Sequence, residues 1–505
     1  MGQMLAFILY FIVILGIGIY FFFRTKGGGE KEYFLGGRKM NSWVTAISAQ
    51  ASDMSGWLLM GLPGSILAIG MGEVWIAVGL LIGTTLNWIF TAPRLRKFSK
   101  AAGDSITVPE YLSNRFLTKS PVLRAVSGFV FLACFTVYTA SSFKACGKLF
   151  TTVFQLGDIT MTIANKLYII DPTSVMMLIA AGIIFAYTLL GGYAAVCWTD
   201  LIQGLLMLAA LMIVPILALF ALESGQVAEV PAVVENYWNF LPSGKLDWES
   251  ISTILSGLAW GLGYFGMPHI LVRFMSAKSI DAIKKSTRIA LIWVVLALGA
   301  AVAVGLIGRK FLPGLGADES ETVFIRMSSA LLPSFLAGLA MSGILAASMS
   351  TADSQLLVSS SAFTSDIYKP IFRKKAGDQE MMMVGRLLVL VITIIAIVIA
   401  INPNSGNIMD LVENAWAGFG SAFGAVIILS LCWKRFNYVG AVAGIVAGTA
   451  TDVVWLIFLT KSTGVYELLP GFIISLISAL ACTLLTKPPS EEVKALFDRA
   501  ISTTD

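Results

Sequence analysis

SWVTAISAQASDMSGWLLMGLPGSILAIG, residues 42–70, is the stretch on which the reading of this chain turns. It is apolar and long enough to cross roughly 30 Å of hydrocarbon as a helix. Yet Asp53, Ser55, Gly56, Gly61, Pro63 and Gly64 lie inside it. A carboxylate at membrane depth costs several kcal/mol unless it is paired, hydrated or set beside a cation. Glycine and proline weaken the helix at the same place. Unwound backbone exposes carbonyl oxygens, which replace the hydration shell of a small cation. The alternative is a proline-kinked packing helix whose broken end Asp53 caps. The coincidence of charge, hydroxyl and helix breakers favours the ion site.

The rest of the chain has the same character. It has 505 residues, of which 57% are hydrophobic and 13% charged. A soluble domain carries roughly a quarter charged residues. The apolar residues come in blocks of about 20, which reads as helical spans rather than the short alternating strands of a barrel. The spacing predicts 13 spans, at 4–23, 41–69, 74–93, 122–155, 172–190, 193–222, 251–272, 286–308, 322–365, 382–401, 409–432, 437–460 and 466–486. The basic residues cluster in alternate loops, such as RLRKFSK (94–100) and KPIFRKK (369–375). The long loop 223–250 holds carboxylates and a single lysine. The positive-inside rule then puts the N-terminus outside and the C-terminus in the cytoplasm.

The net charge of +5 is therefore a topology signal and not one for nucleic acid. No loop is long enough for a separate soluble core, so 1–505 reads as one transmembrane domain. The first 26 residues lack a basic start and a cleavage site, and read as a retained span. Cys134, Cys146, Cys197, Cys432 and Cys482 lie in or beside apolar segments without a CxxC pair, which reads as packing. The tail after Lys487 reads as a solvated end, with a short amphipathic helix as the alternative. The only histidine, His269, has no nucleophile or metal-ligand partner in sequence. It reads as a satisfied polar group beside Pro268, so enzyme chemistry is not expected.

A second break lies in ISTILSGLAWGLGYFGMPHILVRF, residues 251–274, where Gly257, Gly261, Gly263, Gly266 and Pro268 punctuate a span with Trp260 and Tyr264 between them. It falls five spans after the first, the spacing of two inverted five-helix repeats with a site between the breaks. A third segment, SGILAASMSTADSQLLVSSSAFTSDIY at 342–368, is rich in hydroxyls. Ser350, Thr351 and the carbonyl of Ala347 read either as hard oxygen ligands for sodium or as interhelical glue.

These strings resemble the sodium/solute symporters, and above all the proline-carrying bacterial members of that family. The resemblance rests on FLGGR (34–38), ASDMSGWLLMGLPG (51–64), GGYAAVCWTDLIQ (191–203), AWGLGYFGMPHILVRFM (259–275), ILAASMSTADSQLLVSSSA (344–362) and AWAGFGSAFG (415–424). It implies an all-α membrane protein with a LeuT-like core. Residues 1–40 would precede the repeats 41–222 and 251–432, and 433–505 would add two spans and a cytoplasmic tail. It implies sodium held by the carbonyls of Ala51, Met54 and Ala347 and the hydroxyls of Ser350 and Thr351. Asp53 would support that site, and Asp200 would belong to the sodium exit path. Ser55, Gly56, Trp57, Tyr138, Trp260, Tyr264 and Pro268 would form the substrate pocket. The implied activity is import of proline by sodium symport across the plasma membrane, with sodium as coupling ion and no cofactor. Backbone N–H groups at the first break would meet the substrate carboxylate. Trp260 and Tyr264 would wall its ring and meet its ammonium by a cation–π contact.

Four positions depart from the family pattern: Gln50, Lys144, Met267 and Glu413. Lys144 has three readings: a salt bridge to Glu413, a partner for a substrate carboxylate, or a built-in cation. The second would shift the substrate to another amino acid or an organic carboxylate. A membrane solute sensor is the alternative from another class.

Overall fold

The computed structural model describes residues 1–24, 34–163, 166–225 and 235–502. Residues 25–33, and 226–234 of the long loop 223–250, lie outside the described residues.

Among the described residues, ten helices are long and apolar enough to cross a membrane. They are α1 (Gly2–Arg24), α4 (Met71–Ala101), α6 (Val122–Phe154), α8 (Gly192–Glu223), α11 (Ile280–Phe311), α13 (Ser334–Phe372), α14 (Asp378–Ile401), α15 (Ile408–Cys432), α16 (Tyr438–Phe458) and α17 (Leu468–Leu485). The three remaining expected spans are shorter or interrupted. One is α7 (172–191), separated from α8 because Gly192 has φ 60° and an extended ψ that only glycine adopts easily. The other two are the broken segments, α2 (Ser42–Asp53) with α3 (Trp57–Ile69), and α9 (Trp248–Gly263) with α10 (Pro268–Ser276).

The helix starts follow ordinary capping chemistry. Asn41, Asp247, Ser279, Asn407 and Asn437 each accept a backbone N–H from the first turn. At Asp247 the Ser243 hydroxyl, 2.7 Å away, and the Ser250 N–H also hold the carboxyl below its ordinary range. Asn407 and Asp410 form a reciprocal capping box. The core centres on α13, which packs on α1, α6 and α8 and is buried along almost its whole apolar length.

Two expectations are corrected. Segment 322–365 is not one span: α12 (Val323–Leu331) stops at Leu332, and α13 begins after Pro333. A residue before proline is pushed out of helical geometry, which forces the turn. The spans are all helical, as expected, and one short hairpin, β1 (Ile159–Ile163) antiparallel to β2 (Lys166–Ile170), lies between α6 and α7. The tail is not a solvated end. Its helix α18 (Glu491–Ser502) buries Val493, Leu496, Phe497 and Ala500, one apolar stripe, against α4 and α5 (Val108–Arg115). Phe497 meets Phe98 edge-on at 5.1 Å and covers the buried Arg115 guanidinium at 4.9 Å.

Candidate functional site

The first break frees backbone oxygens. Helix α2 ends at Asp53, and Met54 leaves helical geometry at φ −87° and ψ 84°. The Ser55 N–H turns back to the Asp53 carbonyl at 3.1 Å, and the chain re-enters helix as a widened π turn at Trp57–Gly61. The last carbonyls of a helix have no partner within it, so other groups must satisfy them. The Ser350 hydroxyl donates to the Ala51 carbonyl at 2.7 Å and also lies 3.1 Å from the Ala347 carbonyl. The Thr351 hydroxyl reaches the same Ala51 oxygen at 3.5 Å.

Of the five residues expected to hold sodium, Ala51, Ala347, Ser350 and Thr351 therefore meet across α2 and α13. Met54 is fully buried at the break beside them in sequence. This is an uncharged cluster of hard oxygens. A hydroxyl also has lone pairs to offer, so turning the Ser350 O–H converts it from donor to ligand.

Around Asp53 the aromatic residues gather. Tyr264 donates its hydroxyl to Asp53 Oδ2 at 2.7 Å, while Oδ1 is buried without a partner. Tyr138 and the Trp57 indole both donate to the Asp53 carbonyl, at 3.0 and 3.1 Å. Asn87 on α4 donates to the Tyr264 carbonyl at 3.0 Å and steadies the second break. Gly56 is required where it stands: a Cβ there would lie 2.6 Å from the Ala145 Cβ on α6.

A cavity of about 450 Å³ opens beside this cluster, lined by Gly61, Trp260, Glu413, Tyr466 and three further carboxylates, Glu73, Glu321 and Asp410. Trp260 stacks on Tyr466 at 5.3 Å and on Trp416 at 6.1 Å, and Tyr264 meets Trp416 edge-on at 5.1 Å. Of the expected substrate residues Trp260 lines this cavity. Trp57, Tyr138 and Tyr264 lie around Asp53 instead, with Ser55 and Gly56 buried at the same break. Pro268 opens α10 on the far side of the second break.

Lys144 stands apart from that group. It donates to the Ser405 hydroxyl at 2.8 Å and to the Gly406 carbonyl, in the loop before α15. One turn on, Lys148 pairs with Glu321 at 2.9 Å, and Glu321 in turn accepts the first N–H groups of α15 from Ile408 and Met409. Of the three readings of Lys144, the bridge to Glu413 is not formed, and the lysine is held by the loop instead. Glu413 instead offers its backbone carbonyl to the Tyr466 hydroxyl at 2.8 Å. Gln50 and Met267, the other two departures, are buried at the flanks of the two breaks.

Away from the cavity, Asp200 pairs with Arg273 at 3.2 Å and accepts the Ser48 hydroxyl at 2.6 Å. Arg273 also donates to Ser354 and to the His269 carbonyl and lies over the Tyr193 ring. Asp353 is fully buried nearby with both oxygens unpartnered. The sequence reading assigned Arg273 no role. Beyond this network Arg38 donates to Asp104, Ser99 and the carbonyls of Ser105 and Met275, and Arg96 donates to the carbonyls of Ala277 and Lys278.

His269 overturns its expectation. It is fully buried, yet neither ring nitrogen has a hydrogen-bond partner. The Ser52 backbone, at the end of α2, interacts with the ring. A buried group of this kind costs about 1–3 kcal/mol for each unmet donor or acceptor.

The profile of the Sodium:solute symporter family matches residues 33–448. The chain is 44% identical over 498 residues to the osmoregulated proline transporter OpuE of Bacillus subtilis (strain 168), covering 97% of this chain and 96% of that one. It is 42% identical over 489 residues to the high-affinity proline transporter PutP of the same organism, covering 96% and 98%. It is 42% identical over 497 residues to a sodium/proline symporter of Staphylococcus aureus (strain JH9), covering 96% and 93%. Among solved structures, a Na+-coupled sialic acid symporter in a substrate-bound outward-open state aligns with TM-score 0.74 at 20% identity, over 97% of this chain and 99% of that one. MhsT in complex with L-phenylalanine aligns with TM-score 0.55 at 15% identity, over 87% and 97%. These two likenesses speak to the fold.

Proposed function

Because the chain belongs to the sodium:solute symporter family, a family of multi-pass membrane transporters and not of enzymes, we propose that it imports L-proline with sodium by alternating access. The observation that carries the sodium half is the meeting of α2 and α13 oxygens at Ala51, Ala347, Ser350 and Thr351. Sodium takes these oxygens together with the Met54 carbonyl. The similarity to three proline carriers over nearly the whole chain supports the substrate.

Counting each broken segment as one crossing gives 13 spans. Spans two to six and seven to eleven are then the inverted repeats of a LeuT-like core, at 41–222 and 251–432. The N-terminus is outside, so the acidic cavity faces the exterior and the Arg38 network closes the cytoplasmic side. The carboxylates Glu73, Asp410 and Glu413 concentrate cations at the entrance. Sodium at the first break replaces the Ser350–Ala51 hydrogen bond and fixes the unwound backbone. Asp53, held by Tyr264, supplies negative charge close to the ion. Proline then packs against Ser55, Gly56, Trp57, Tyr138, Trp260, Tyr264 and Pro268. Closure of the outer aromatic layer and opening of the Arg38 network deliver both, and Asp200 lies on the path by which sodium leaves. Coupling follows because both ligands favour the same occluded state.

The test is uptake of labelled proline into proteoliposomes under an imposed sodium gradient. Accumulation that collapses when potassium replaces sodium is expected. Sodium-independent uptake would remove the coupling claim, and no uptake would remove the substrate.

A further inference from the structure

We propose that the tail helix α18 is a releasable strap, holding two groups of helices together until the cytoplasmic side opens; this rests on the alternating-access reading above. The first group is tied to the broken helices. Arg96, near the end of α4, donates to the carbonyls of Ala277 and Lys278 just after α10, and Asn87 on the same helix holds the Tyr264 carbonyl. The second group is α5 with the end of α15 and the start of α16. Arg115 on α5 donates to the Ser430 carbonyl at 3.1 Å, and the Tyr111 hydroxyl lies 2.9 Å from the Ser430 hydroxyl. Helix α18 touches both groups. Phe497 meets Phe98 of α4 on one side and Arg115 of α5 on the other. Lys97 reaches the Ile501 carbonyl at 3.4 Å, while Asp498 pairs with Lys434, just past α15, at 2.6 Å. The chain between α17 and α18 is pinned to the second group, because the Asn437 amide donates to the Thr486 hydroxyl at 2.8 Å and to the Lys487 carbonyl at 3.2 Å. Rocking one group against the other therefore either shears α18 or frees it from α4.

The joint is built to come apart. Arg115 is fully buried, yet among the described residues only its Nε finds an acceptor, and both terminal nitrogens find none. Three rings, Phe98, Phe116 and Phe497, cover the guanidinium instead, and Phe497 is the nearest of them. A cation held this way gains the cation–π contact and forgoes its hydration. When α18 leaves, water reaches those N–H groups, and their hydration offsets part of the apolar contact that is lost. A helix that only had to stay docked would be better served by an apolar residue at 115. The polar link is weak in the same sense. Lys434 and Asp498 are 46% and 58% exposed, and an ion pair so open to water contributes little. With 12 residues, α18 is too short to keep its helix in water alone, so release also unwinds it.

Hydrogen exchange of the purified full-length protein, read by mass spectrometry, tests the strap alongside uptake into proteoliposomes. Phe497→Ala should speed exchange within α18 about ten-fold or more, and exchange at residues 273–279, on the far side of the α4 contact, about three-fold or more. Sodium-driven proline uptake should start about two- to three-fold faster, because the cytoplasmic side opens more readily. Asp498→Lys should act in the same direction to a smaller extent, and adding Lys434→Asp should restore the parental exchange and rate. A chain ending at Pro489 keeps the Asn437 contacts and should match Phe497→Ala at 273–279. Faster exchange in α18 without any change at 273–279 would overturn the proposal. So would parental exchange at 273–279 in the shortened chain, or slower uptake by a Phe497→Ala protein that is as well folded as the parent. A parent that carries no proline would instead overturn the carrier reading, and exchange at 273–279 would still decide the strap.

Discussion

The chain breaks a helix twice, at Asp53–Gly56 and at Tyr264–Met267, and the two breaks are built differently. The first, at Asp53–Gly56, carries a charge and opens its carbonyls to hydroxyls from α13. The second, at Tyr264–Met267, carries no charge and is packed tightly by glycine. A Cβ at Gly266 would lie 2.3 Å from the Phe419 carbonyl oxygen on α15, and one at Gly263 would lie 2.0 Å from the Trp416 indole nitrogen. The two breaks therefore share an interrupted backbone and differ in their side chains. One break offers oxygens to an ion, and the other brings aromatic residues and an uncapped helix start close to the same centre.

That contrast is sharpest at the ion side. Replacing Ser350 and Thr351 together by alanine removes both hydroxyls from the cluster. Sodium-driven proline uptake should fall by roughly 100-fold or more, with folded protein retained by size-exclusion chromatography. A double variant that transports like the parent would show that the first break holds no ion.

Next comes the packing break. Gly266→Ala sets a methyl against backbone that cannot swing aside, so thermal unfolding should shift by an overpacking cost of about 1–3 kcal/mol. Gly56→Ala meets side chains rather than backbone, the Ala145 Cβ at 2.6 Å and the Ser348 hydroxyl at 3.3 Å. It should cost less in melting temperature and more in transport. The reverse ordering would erase the distinction between the breaks.

Tyr264→Phe deletes the hydrogen bond to Asp53 Oδ2 and leaves the ring in place. A bond to a charged group contributes about 1.5–3 kcal/mol, so the half-saturating sodium concentration should rise about ten-fold or more. The smallest effect belongs to Lys144→Met. The lysine binds the Ser405–Gly406 loop, so melting should fall by about 1 kcal/mol while the KM for proline stays within about two-fold. A large KM change would revive the substrate-carboxylate reading of Lys144.

Much of this was legible in the sequence because the signals were physical and local. A charge, hydroxyls and breakers coincide at 53–64, and a span that only packs gains nothing from carrying all three. Ser350 and Thr351 were legible as residue types, though their meeting with Ala51 depends on how α2 and α13 pack. What was missed depends on distant partners. The alternatives for Lys144 were drawn among charged or substrate partners, and its real ones are a hydroxyl and a carbonyl in a loop. Arg273 and Asp200 come from different halves of the chain. The start of α13 was overrun because the apolar residues of α12 continue through Leu331 and Leu332, although Pro333 marked the stop. The tail stripe at Val493, Leu496, Phe497 and Ala500 had helical spacing, but nothing local pointed to Phe98 or Arg115 as the surface it covers.

The central claim is that the oxygens at the first break bind sodium and that sodium binding favours proline binding. Equilibrium binding of proline to the purified protein across a sodium titration tests it most directly. Affinity should rise steeply with sodium in the parent and become indifferent to sodium in the Ser350→Ala, Thr351→Ala protein. A parent whose proline affinity ignores sodium, or a double variant that keeps the parental sodium dependence, would contradict it.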